Sequence, residues 1–416
     1  MSVTIQSVVL ARGYKMQQGV TVEEAIQIIR DSIESIQDTL FMPIQDTLGY
    51  VLAKDMYSKM NQPPFHRSPV DGYACHYEDV SMASKANPAR IKVVAEVDAG
   101  DYYPHTIQRG EAVRIMTGGR IPDGCDVCIW QETTNYGDDF VEVYKSYNQY
   151  ENICFAGEDF AEGELLITKG SVITYVEIGI LSAMGIDQIP VYRKPNIALI
   201  TTGSETMMPG EALLPGKIYN SNRFMLEARM KQLGISLLSV SHVVDDAHCL
   251  VKELDKVIQQ ADLVITTGGV SVGKKDILHE ALELVGAKKL FWQVKLKPGS
   301  PTIYSQYQGK PIISLTGNPF GTITNFELLV RPGIAKLSRN ETLVCKKVSA
   351  ISLNHFKKVG NVPRYVRAIY QDGKVKAADG IHTSGATKSM IGCNALMVIP
   401  AGQQLMEQDE VDVILL

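Results

Sequence analysis

The chain has 416 residues, of which 45% are hydrophobic and 21% are charged, and its formal net charge is −5. A globular chain of this length predicts roughly two to four domains, and the negative charge argues against a broad nucleic-acid-binding surface. No apolar run approaches the length of a membrane span, and seven cysteines without framework spacing predict reduced thiols in the cytoplasm.

The first predicted element is an amphipathic helix near the N-terminus. Apolar residues recur at helical spacing from Val22 to Ile36, and Thr21 with Glu24 has the spacing of a capping box. The residue pattern then changes. Between about residues 63 and 147, short apolar runs are set off by Gly, Pro, Asp and Asn. This pattern predicts a small, mostly β domain inserted after the helix.

Strands and helices alternate from about residue 196 onward. The segment "NIALITTGSE" predicts a strand and a loop, and "SNRFMLEARMKQLG" predicts a helix that ends at Gly234. Further strands and helices follow up to "GTITNFELLVRPGIAKL". From about Asn340 the residue pattern again predicts β-strands. The predicted fold class is therefore multidomain α/β: an α/β domain with a parallel-rich sheet, an inserted β domain and a C-terminal β domain.

Three polar loops follow strands of the predicted parallel sheet, at the edge where such sheets bind ligands. They read "TTGSE", "TTGGVSVGKKD" and "LTGNPFGT". Their Gly, Ser and Thr residues let backbone N–H groups approach a phosphate. Each loop alone is compatible with plain turn chemistry, and none has Walker or GxGxxG spacing. Three on one sheet favour a phosphorylated ligand, with these candidate residues: Gly268, Gly269, Ser271, Gly317 and Asn318.

Carboxylates supply a second group of candidates. Most of the 46 acidic residues must be solvated surface. Several, however, follow strands of the α/β region, namely Glu205, Asp245, Asp246 and Asp276. Oxygen ligands gathered beside phosphate-binding loops suit Mg²⁺ or another divalent cation, which bridges phosphates.

Ordered motifs along most of the chain resemble one family. From Thr21 to the last strand the sequence is similar to the MoeA family, the molybdopterin molybdenumtransferases, which are related to the E domain of gephyrin. The resemblance rests on these motifs, in order: "PPFHRSPVDGYA", "VRIMTGGRIPDGCDVCIWQE", "GEDFAEGELL", "ITTGSE", "GKIYNSNRFML", "VITTGGVSVGKKD", "KPGSP" and "GNPFGTITNFELLVRP".

The resemblance implies an activity and an architecture. The family inserts molybdate into adenylylated molybdopterin with Mg²⁺ or a similar ion, releasing AMP and forming Mo-molybdopterin. The implied protein is a homodimer with composite active sites. Its composition, charge and apolar runs predict a cytoplasmic protein that binds neither nucleic acid nor membranes. Its implied protein partners are the molybdopterin adenylyltransferase and molybdoenzyme acceptors. Four domains are implied: a linking domain (20–50 and 148–178), an inserted β domain (51–147), an α/β molybdopterin-binding domain (1–19 and 179–338) and a C-terminal β-barrel-like domain (339–416).

The matching motifs also carry residue roles. The resemblance implies that Asp71, Thr117 and Glu205 are catalytic. It implies metal ligation by Glu205, by Asp246 or its neighbour Asp245, and by Asp276. Substrate binding is implied for a larger set, which adds to the loop residues named above: Asp159, Lys297, Pro319, Arg367 and Ser384. Without the resemblance, the alternative for Asp71 is a turn aspartate before Gly72, and it is the less favoured of the two.

The sequence departs from the family pattern at several positions. Ser300 replaces a lysine of "KPGKP", Thr316 replaces a proline of "LPGNP", and "NICFAG" stands where some members carry a basic stretch. These changes reduce the positive charge expected in the cleft. Two alternatives to the transferase stay open, namely a molybdopterin adenylyltransferase and a non-enzymatic pterin-binding scaffold.

Overall fold

The computed structural model describes residues 16–270 and 277–416. The chain forms two compact units. The smaller unit comprises Phe41–Leu48 and Leu52–Val191, and the larger unit comprises the described part of Met1–Leu40, Gly49–Val51 and Tyr192–Leu416. Among the described residues, no helix is long and apolar enough to cross a membrane. The four domain boundaries predicted from the sequence stay predictions.

The N-terminal helix has the predicted capping box. Strand β1 (Gln17–Val20) leads into α1 (Val22–Ser32). Glu24 N donates to Thr21 Oγ1 at 3.2 Å, and Thr21 N donates to Glu24 Oε2 at 2.7 Å. The helix ends at Ser32, earlier than predicted, because Ile33 is extended and Ile36 N donates instead to the carbonyl oxygen of Leu337. The apolar pattern persists past this end since Ile33 and Ile36 are still buried.

The middle of the chain is mostly β, as predicted. Its elements in order are β2 (Thr39–Pro43), β3 (Val51–Leu52), β4 (Met56–Tyr57), β5 (Gly72–Cys75), β6 (Ala89–Val97), β7 (Glu111–Ile115), β8 (Val127–Trp130), β9 (Phe140–Val143), β10 (Leu165–Ile167), α2 (Tyr175–Ala183) and β11 (Gln188–Tyr192). Five of the strands form one sheet in the order β8-β5-β7-β6-β9, in which only the β6–β7 pair is parallel. This sheet holds the start of β5, and therefore Asp71, against the turn after β7.

The α/β region consists of alternating strands and helices. Its elements are β12 (Ile197–Thr202), β13 (Thr206–Met207), β14 (Ile218–Tyr219), α3 (Ser221–Gln232), β15 (Leu237–Val243), α4 (Ala247–Ile258), β16 (Leu263–Thr267), α5 (Ile277–Leu284), β17 (Lys288–Val294), β18 (Ile303–Tyr307) and β19 (Lys310–Leu315). A closing helix follows in three parts, namely α6 (Pro319–Asn325), a π-helical turn (Phe326–Val330) and α7 (Arg331–Ser338).

The main sheet is parallel-rich, as the alternation of elements predicted. Its order is β1-β17-β18-β19-β16-β12-β15, and only β18 runs antiparallel to its neighbours. Strands β19, β16 and β12 are adjacent and parallel, so their carboxyl ends meet at one edge. The three polar loops predicted from the sequence follow these three strands. The topology therefore brings them together.

The C-terminal region is a closed five-stranded barrel. Its strands are β20 (Lys347–Ser352), β21 (Arg364–Gln371), β22 (Lys374–Ala377), β23 (Ala395–Ile399) and β24 (Glu410–Leu415). Two barrel loops contact the α/β region within the larger unit. Phe320 N donates to the carbonyl oxygen of Ser384, and Lys297 N donates to that of Pro363, both at 2.9 Å. These loops form one side of the cavities described next.

Candidate active site

Two adjacent cavities open at the carboxyl edge of the main sheet. The larger, of about 660 Å³, is here called the polar pocket. The ends of β12, β16 and β19 line it with hydroxyl, amide and backbone groups and two carboxylates. Gly268, Gly269, Gly317, Asn318 and Pro319, predicted from the loops and the resemblance, all line this pocket. Ser271 and Asp276, also predicted, lie outside the described residues.

Glycine is required where the β16 loop meets the end of β12. Gly268 and Gly269 have φ of +97° and +66°, in the region that favours glycine. A Cβ on Gly268 would lie 2.6 Å from both the carbonyl oxygen and Oγ1 of Thr202. The two backbones therefore touch, and the absence of side chains leaves main-chain groups exposed to the pocket.

Polar groups around the pocket are partly paired and partly left open. Asn222 Nδ2 donates to the carbonyl oxygen of Gly317 at 2.7 Å, and Thr267 Oγ1 donates to that of Thr316 at 3.0 Å. These bonds fix the β16 and β19 loops against α3. Two buried oxygens, Thr202 Oγ1 and Asn222 Oδ1, have no hydrogen-bond partner among the described residues. Buried polar atoms are normally paired, so these oxygens are consistent with a polar ligand in the pocket.

The carboxylates of the polar pocket are Glu205 and Asp245. Asp245 Oδ2 accepts a hydrogen bond from Ser204 N at 2.9 Å, and Ser204 Oγ accepts one from Asp245 N. Asp246, predicted as the metal ligand with Asp245 as the alternative, is placed differently. Its Oδ1 caps α4 by accepting from Cys249 N at 2.8 Å, and this bond lowers the pKa of its carboxyl. The structure therefore favours Asp245 over Asp246 as the pocket carboxylate.

The second cavity, of about 380 Å³, is here called the cationic pocket. Lys297, Lys358 and Arg364 line it, and none of its lining residues is acidic. Lys297 and Arg364 are partners in a parallel β-bridge, in which Lys297 N donates to Pro363 O and Tyr365 N donates to Lys297 O. Like charges on bridge partners repel each other, so the arrangement favours an anionic occupant.

Two further polar groups of the cationic pocket are incompletely paired. Within the described residues, Arg364 Nε and His382 Nδ1 are buried and make no hydrogen bond. The other ring nitrogen of His382, Nε2, lies 2.8 Å from the carbonyl oxygen of Ala378, so it carries the proton in the neutral ring. Burial, and then nearby positive charge, keep the pKa of His382 below its ordinary value despite that hydrogen bond.

Arg367, predicted to bind substrate, lines neither pocket. It is 1% exposed, and its guanidinium lies over the Phe320 ring, 3.8 Å from the centroid. Its Nη2 donates to the carbonyl oxygen of Thr383 at 2.8 Å, and its Nη1 donates to Ser389 Oγ at 2.7 Å. Arg367 therefore holds the barrel loop that carries Ser384. Ser384 does line the cationic pocket, as do Lys297 and the unpredicted Arg364.

The two pockets share a wall. Pro301, Thr316 and Asn318 line both cavities. Thr322 Oγ1 donates to the carbonyl oxygen of Thr316 at 2.6 Å, so the wall is fixed to the start of the closing helix. Ligands in the two pockets would consequently lie next to each other.

In the smaller unit, Asp71 and Thr117 form a pair. Asp71 Oδ1 accepts hydrogen bonds from Thr117 N at 2.7 Å and from Thr117 Oγ1 at 2.8 Å. These bonds, the backbone one first, lower the pKa of Asp71. No described residue donates a hydrogen bond to the other oxygen, Oδ2, so the carboxylate is held by one oxygen and open at the other. Asp159 is exposed in a turn in which its own N–H donates to Gln62 O at 2.9 Å.

Replacing Thr117 with Val is expected to raise the pKa of Asp71 toward the ordinary aspartate value. The variant removes one of two donors to the ionised form, while the backbone donor stays. The wild-type bonds are therefore intact at neutral pH and weaken as pH falls through the lowered pKa. In the variant, this loss should begin at higher pH.

The measurement is a carbon-13 NMR titration of the Asp71 carboxyl, assigned by its disappearance in Asp71→Asn. Thr117→Ser keeps the hydroxyl and serves as the control. An Asp71 pKa that is unchanged in Thr117→Val would show that the side-chain hydrogen bond does not stabilise the ionised form.

Comparison with known proteins assigns the chain to a family. Three family descriptions match in order: "MoeA N-terminal region (domain I and II)" at residues 20–185, "Probable molybdopterin binding domain" at 198–336 and "MoeA C-terminal region (domain IV)" at 349–416. A protein named molybdopterin molybdenumtransferase from Staphylococcus epidermidis is 34% identical over 388 residues, 92% of each chain. This chain belongs to the MoeA family.

Other MoeA-family relatives agree with this assignment. A molybdopterin molybdenumtransferase from Staphylococcus aureus is 32% identical, again over 92% of each chain. The crystal structure of a molybdopterin biosynthesis MoeA protein from Pyrococcus horikosii superposes with a TM-score of 0.81 at 31% identity, covering 95% of this chain and 99% of that one. The resemblance first seen in the motifs is confirmed, and so is the multidomain α/β fold with its C-terminal barrel.

In the cationic pocket of this MoeA-family chain, three basic residues were not predicted from the sequence, namely Lys358, Arg364 and His382. Lys358 and Arg364 belong to the stretch "FKKVGNVPR", whose basic residues could have marked it as an anion-binding loop. His382 lies in "GIHTSGATKSM", two residues before the predicted Ser384. It had no motif of its own, and only the fold brings it to the pocket.

Proposed function

We propose that this chain is a molybdopterin molybdenumtransferase, which inserts molybdate into adenylylated molybdopterin and releases AMP. Its curated relatives carry the enzyme's name. The observation that carries the proposal for this chain is the pair of adjoining pockets, one polar and glycine-rich, the other cationic and free of carboxylates. Two chemically different reactants have to meet in this reaction, and the two pockets suit them separately.

The polar pocket suits the adenylylated pterin. Its volume of about 660 Å³ lies in the range of sites for ligands of this size. Backbone groups at Gly268, Gly269 and Gly317 can approach phosphate oxygens without steric hindrance. The unpaired Thr202 Oγ1 and Asn222 Oδ1 can bind polar groups of the ligand.

The cationic pocket suits molybdate, a small tetrahedral dianion. Lys297, Lys358 and Arg364 provide positive charge, and Ser384 and Asn318 provide neutral polar groups. Hydrogen bonds from charged donors to an oxyanion are stronger than neutral ones. Because Asn318 lines both pockets, bound molybdate would lie beside the pterin ligand rather than remote from it.

A divalent cation fits the polar pocket. Among the described residues no group of three His, Cys, Asp or Glu side chains could hold a metal ion alone. Mg²⁺, however, commonly takes only one or two carboxylates and completes its shell with phosphate oxygens and water. Glu205 and Asp245 would hold it, and Asp276, outside the described residues, stays a predicted third ligand. When bound, the ion would neutralise negative charge on the phosphoanhydride.

The protein residues then have separate roles. The loops after β12, β16 and β19 orient the phosphoanhydride, and Lys297 and Arg364 hold the oxyanion. Asp71, ionised and open at Oδ2, accepts a proton or orients the attacking oxygen. Thr117 keeps that carboxylate ionised and fixed. Asp159 stays a proposed substrate contact.

We further propose that the enzyme is a cytoplasmic homodimer in which Asp71 of one subunit completes the site of the other. Helix α2, with the sequence "YVEIGILSA", supports self-association. Tyr175 is 82% exposed and Val176 is 47% exposed, and only Leu181 of the helix is buried. A helix that is apolar on most sides normally packs against another surface, and a two-fold contact would bury it. The molybdopterin adenylyltransferase and molybdoenzyme acceptors stay proposed partners.

AMP release is expected to depend on both molybdate and a divalent cation. Purified protein is incubated with adenylylated molybdopterin, with and without molybdate, before and after removal of metal by a chelator. AMP is measured by chromatography. Full turnover with both components, loss in chelator and recovery on adding Mg²⁺ would support the proposal.

A parallel incubation with ATP and unmodified molybdopterin separates the alternatives. An adenylyltransferase would release pyrophosphate from ATP and unmodified molybdopterin, and a binding scaffold would release neither product. Turnover that persists unchanged in chelator would eliminate the metal role while leaving the transferase proposal intact.

A further inference from the structure

His242 lies near the end of β15, the edge strand of the main sheet, and lines neither pocket. Its ring lies between two hydroxyl groups. Nδ1 is 3.0 Å from Thr201 Oγ1, and Nε2 is 3.2 Å from Thr206 Oγ1. Both threonines line the polar pocket. Because each ring nitrogen is already bonded to a pocket residue, His242 acts on the pocket through its neighbours and is not itself a ligand.

The surrounding hydrogen bonds determine which ring nitrogen carries the proton. Thr206 Oγ1 donates to the carbonyl oxygen of Gly203 at 3.0 Å, so it accepts from His242. In the neutral ring the proton is therefore on Nε2, and Nδ1 accepts from Thr201 Oγ1. Thr201 Oγ1 in turn accepts from Asn220 Nδ2 at 2.9 Å. This position therefore uses a side chain with one donor and one acceptor.

The bond from His242 reaches the turn that carries Glu205. This turn is closed twice, because the backbone N–H and Oγ1 of Thr206 both donate to the carbonyl oxygen of Gly203, at 3.2 Å and 3.0 Å. A Cβ on Gly203 would lie 2.8 Å from Glu205 Oε2, so the Glu205 carboxylate folds back over the start of the turn. The hydrogen bond between His242 and Thr206 thus fixes the end of the turn that places this carboxylate.

The same strand end also holds the second carboxylate of the pocket. Asp245 follows β15. Ser204 N donates to Asp245 Oδ2, and Asp245 N donates to Ser204 Oγ, each at 2.9 Å. The turn is therefore attached to the end of β15 on both sides of Glu205, through Ser204 on one side and through Thr206 and His242 on the other. Two attachments restrict where the Glu205 carboxylate can lie relative to Asp245.

We propose that His242 is a positioning residue that holds the Glu205 carboxylate beside Asp245 and so sets the affinity of the polar pocket for a divalent cation. This inference rests on the proposed cation role of these two carboxylates. A site with few protein ligands depends on how firmly each one is held, because the residues that orient metal ligands contribute to metal affinity. A histidine that only stabilised the strand edge would affect the melting temperature and leave the cation affinity unchanged.

Three substitutions separate the two hydrogen bonds of the ring. His242→Phe keeps a ring and removes both bonds. The amide nitrogen introduced by His242→Gln lies close to the position of Nε2 and can still donate to Thr206. The amide oxygen introduced by His242→Asn lies closer to Nδ1 and can accept from Thr201, but the donor to Thr206 is lost.

The measurement is a titration of each protein with Mn²⁺ alone, in which electron paramagnetic resonance reports the free ion. Glu205→Gln identifies the part of the binding that belongs to the pocket. His248→Gln is the matched control, since His248 is exposed on α4 and its side chain makes no hydrogen bond to a described residue.

His242→Phe is expected to weaken Mn²⁺ binding at the pocket about tenfold, the lower end of the range for residues that orient metal ligands. His242→Asn should be similarly weak. His242→Gln should bind within about threefold of wild type because it keeps the bond to Thr206. Thr206→Val removes the other partner of that bond, so combining it with His242→Phe should weaken binding little more than either change alone.

The AMP assay gives a second readout. His242→Phe should need a higher Mg²⁺ concentration for its half-maximal rate, and at saturating Mg²⁺ it should approach the wild-type rate, because the change affects cation binding more than the chemical step. The control His248→Gln should match wild type in both assays.

Unchanged Mn²⁺ affinity in His242→Phe, or equal losses in His242→Gln and His242→Phe, would overturn the inference. Wild-type protein whose Mn²⁺ binding does not depend on Glu205 would overturn it as well. Melting temperatures show whether each variant is folded, and the contrast between His242→Gln and His242→Asn covers the case in which phenylalanine disturbs the strand.

The test is separable from the proposed function. Wild-type protein that binds Mn²⁺ through Glu205 but releases no AMP would contradict the transferase assignment, and the titration would still decide the role of His242. Normal AMP release with unaltered Mn²⁺ affinity in His242→Phe would contradict only the role of His242.

Discussion

Asp71→Asn is expected to lower the rate of AMP release about a hundredfold or more, the range for loss of a positioned acid–base group. Asparagine keeps the size of the side chain, and its oxygen can still accept from Thr117 N and Oγ1. The change therefore leaves the anchored oxygen in place and replaces the open Oδ2 by a neutral amide. The negative charge and the ability to accept a proton are both lost.

The measurement is the turnover number at saturating adenylylated molybdopterin and molybdate. Asp139→Asn is the control, since Asp139 is an exposed aspartate of the same unit, immediately before β9, and its carboxylate makes no hydrogen bond to a described residue. The melting temperature of Asp71→Asn should stay close to that of wild type because no buried contact is removed. A variant with full turnover would mean that Asp71 is only a turn residue before Gly72.

A mixed dimer is expected to recover about half of the wild-type activity when one subunit carries Asp71→Asn and the other Lys297→Ala, as two-fold symmetry requires. The reason is the proposed composite site, in which Asp71 and Lys297 of each site come from different subunits. One site of the mixed dimer then receives both defects and the other receives neither. Each variant alone forms dimers in which both sites are defective.

The experiment uses co-expression of the two variants with different tags and tandem purification. Activity per dimer is compared with wild type carrying the same tags, and with each variant homodimer. If Asp71 and Lys297 instead served the same site from one chain, both sites would keep one defect. An inactive mixed dimer containing both tags would rule out the shared site.

The order of the elements and the three ligand loops could be predicted from the sequence, because strand and helix periodicities and Gly-rich turns are local signals. Adjacent strands β12, β16 and β19 then bring the loops together, as expected for a parallel sheet. What local signals could not decide was which of two similar neighbours faces the pocket. Asp245 lines it and Asp246 caps a helix.

Local sequence signals also could not show which of the two arginines of β21 faces the cationic pocket. Residues three apart on a strand lie on opposite faces, so only one of Arg364 and Arg367 could face the cationic pocket. The β-bridge between Arg364 and Lys297 places Arg364 at the cationic pocket. The guanidinium of Arg367 instead packs over the Phe320 ring. Both contacts join segments distant in sequence. Single-sequence patterns do not encode them, and the same holds for the position of Lys358.

The wall shared by the two pockets has a thermodynamic consequence. A shift of Asn318 or Thr316 that suits an occupant of one pocket alters the shape of the other. Occupancy of the pockets is then coupled, and such coupling is reciprocal. Whatever factor a ligand of the polar pocket applies to the dissociation constant of a ligand in the cationic pocket, the second ligand must apply to that of the first. A wall made of three residues can thus let a ligand in one pocket promote or oppose binding in the other, without any separate regulatory site.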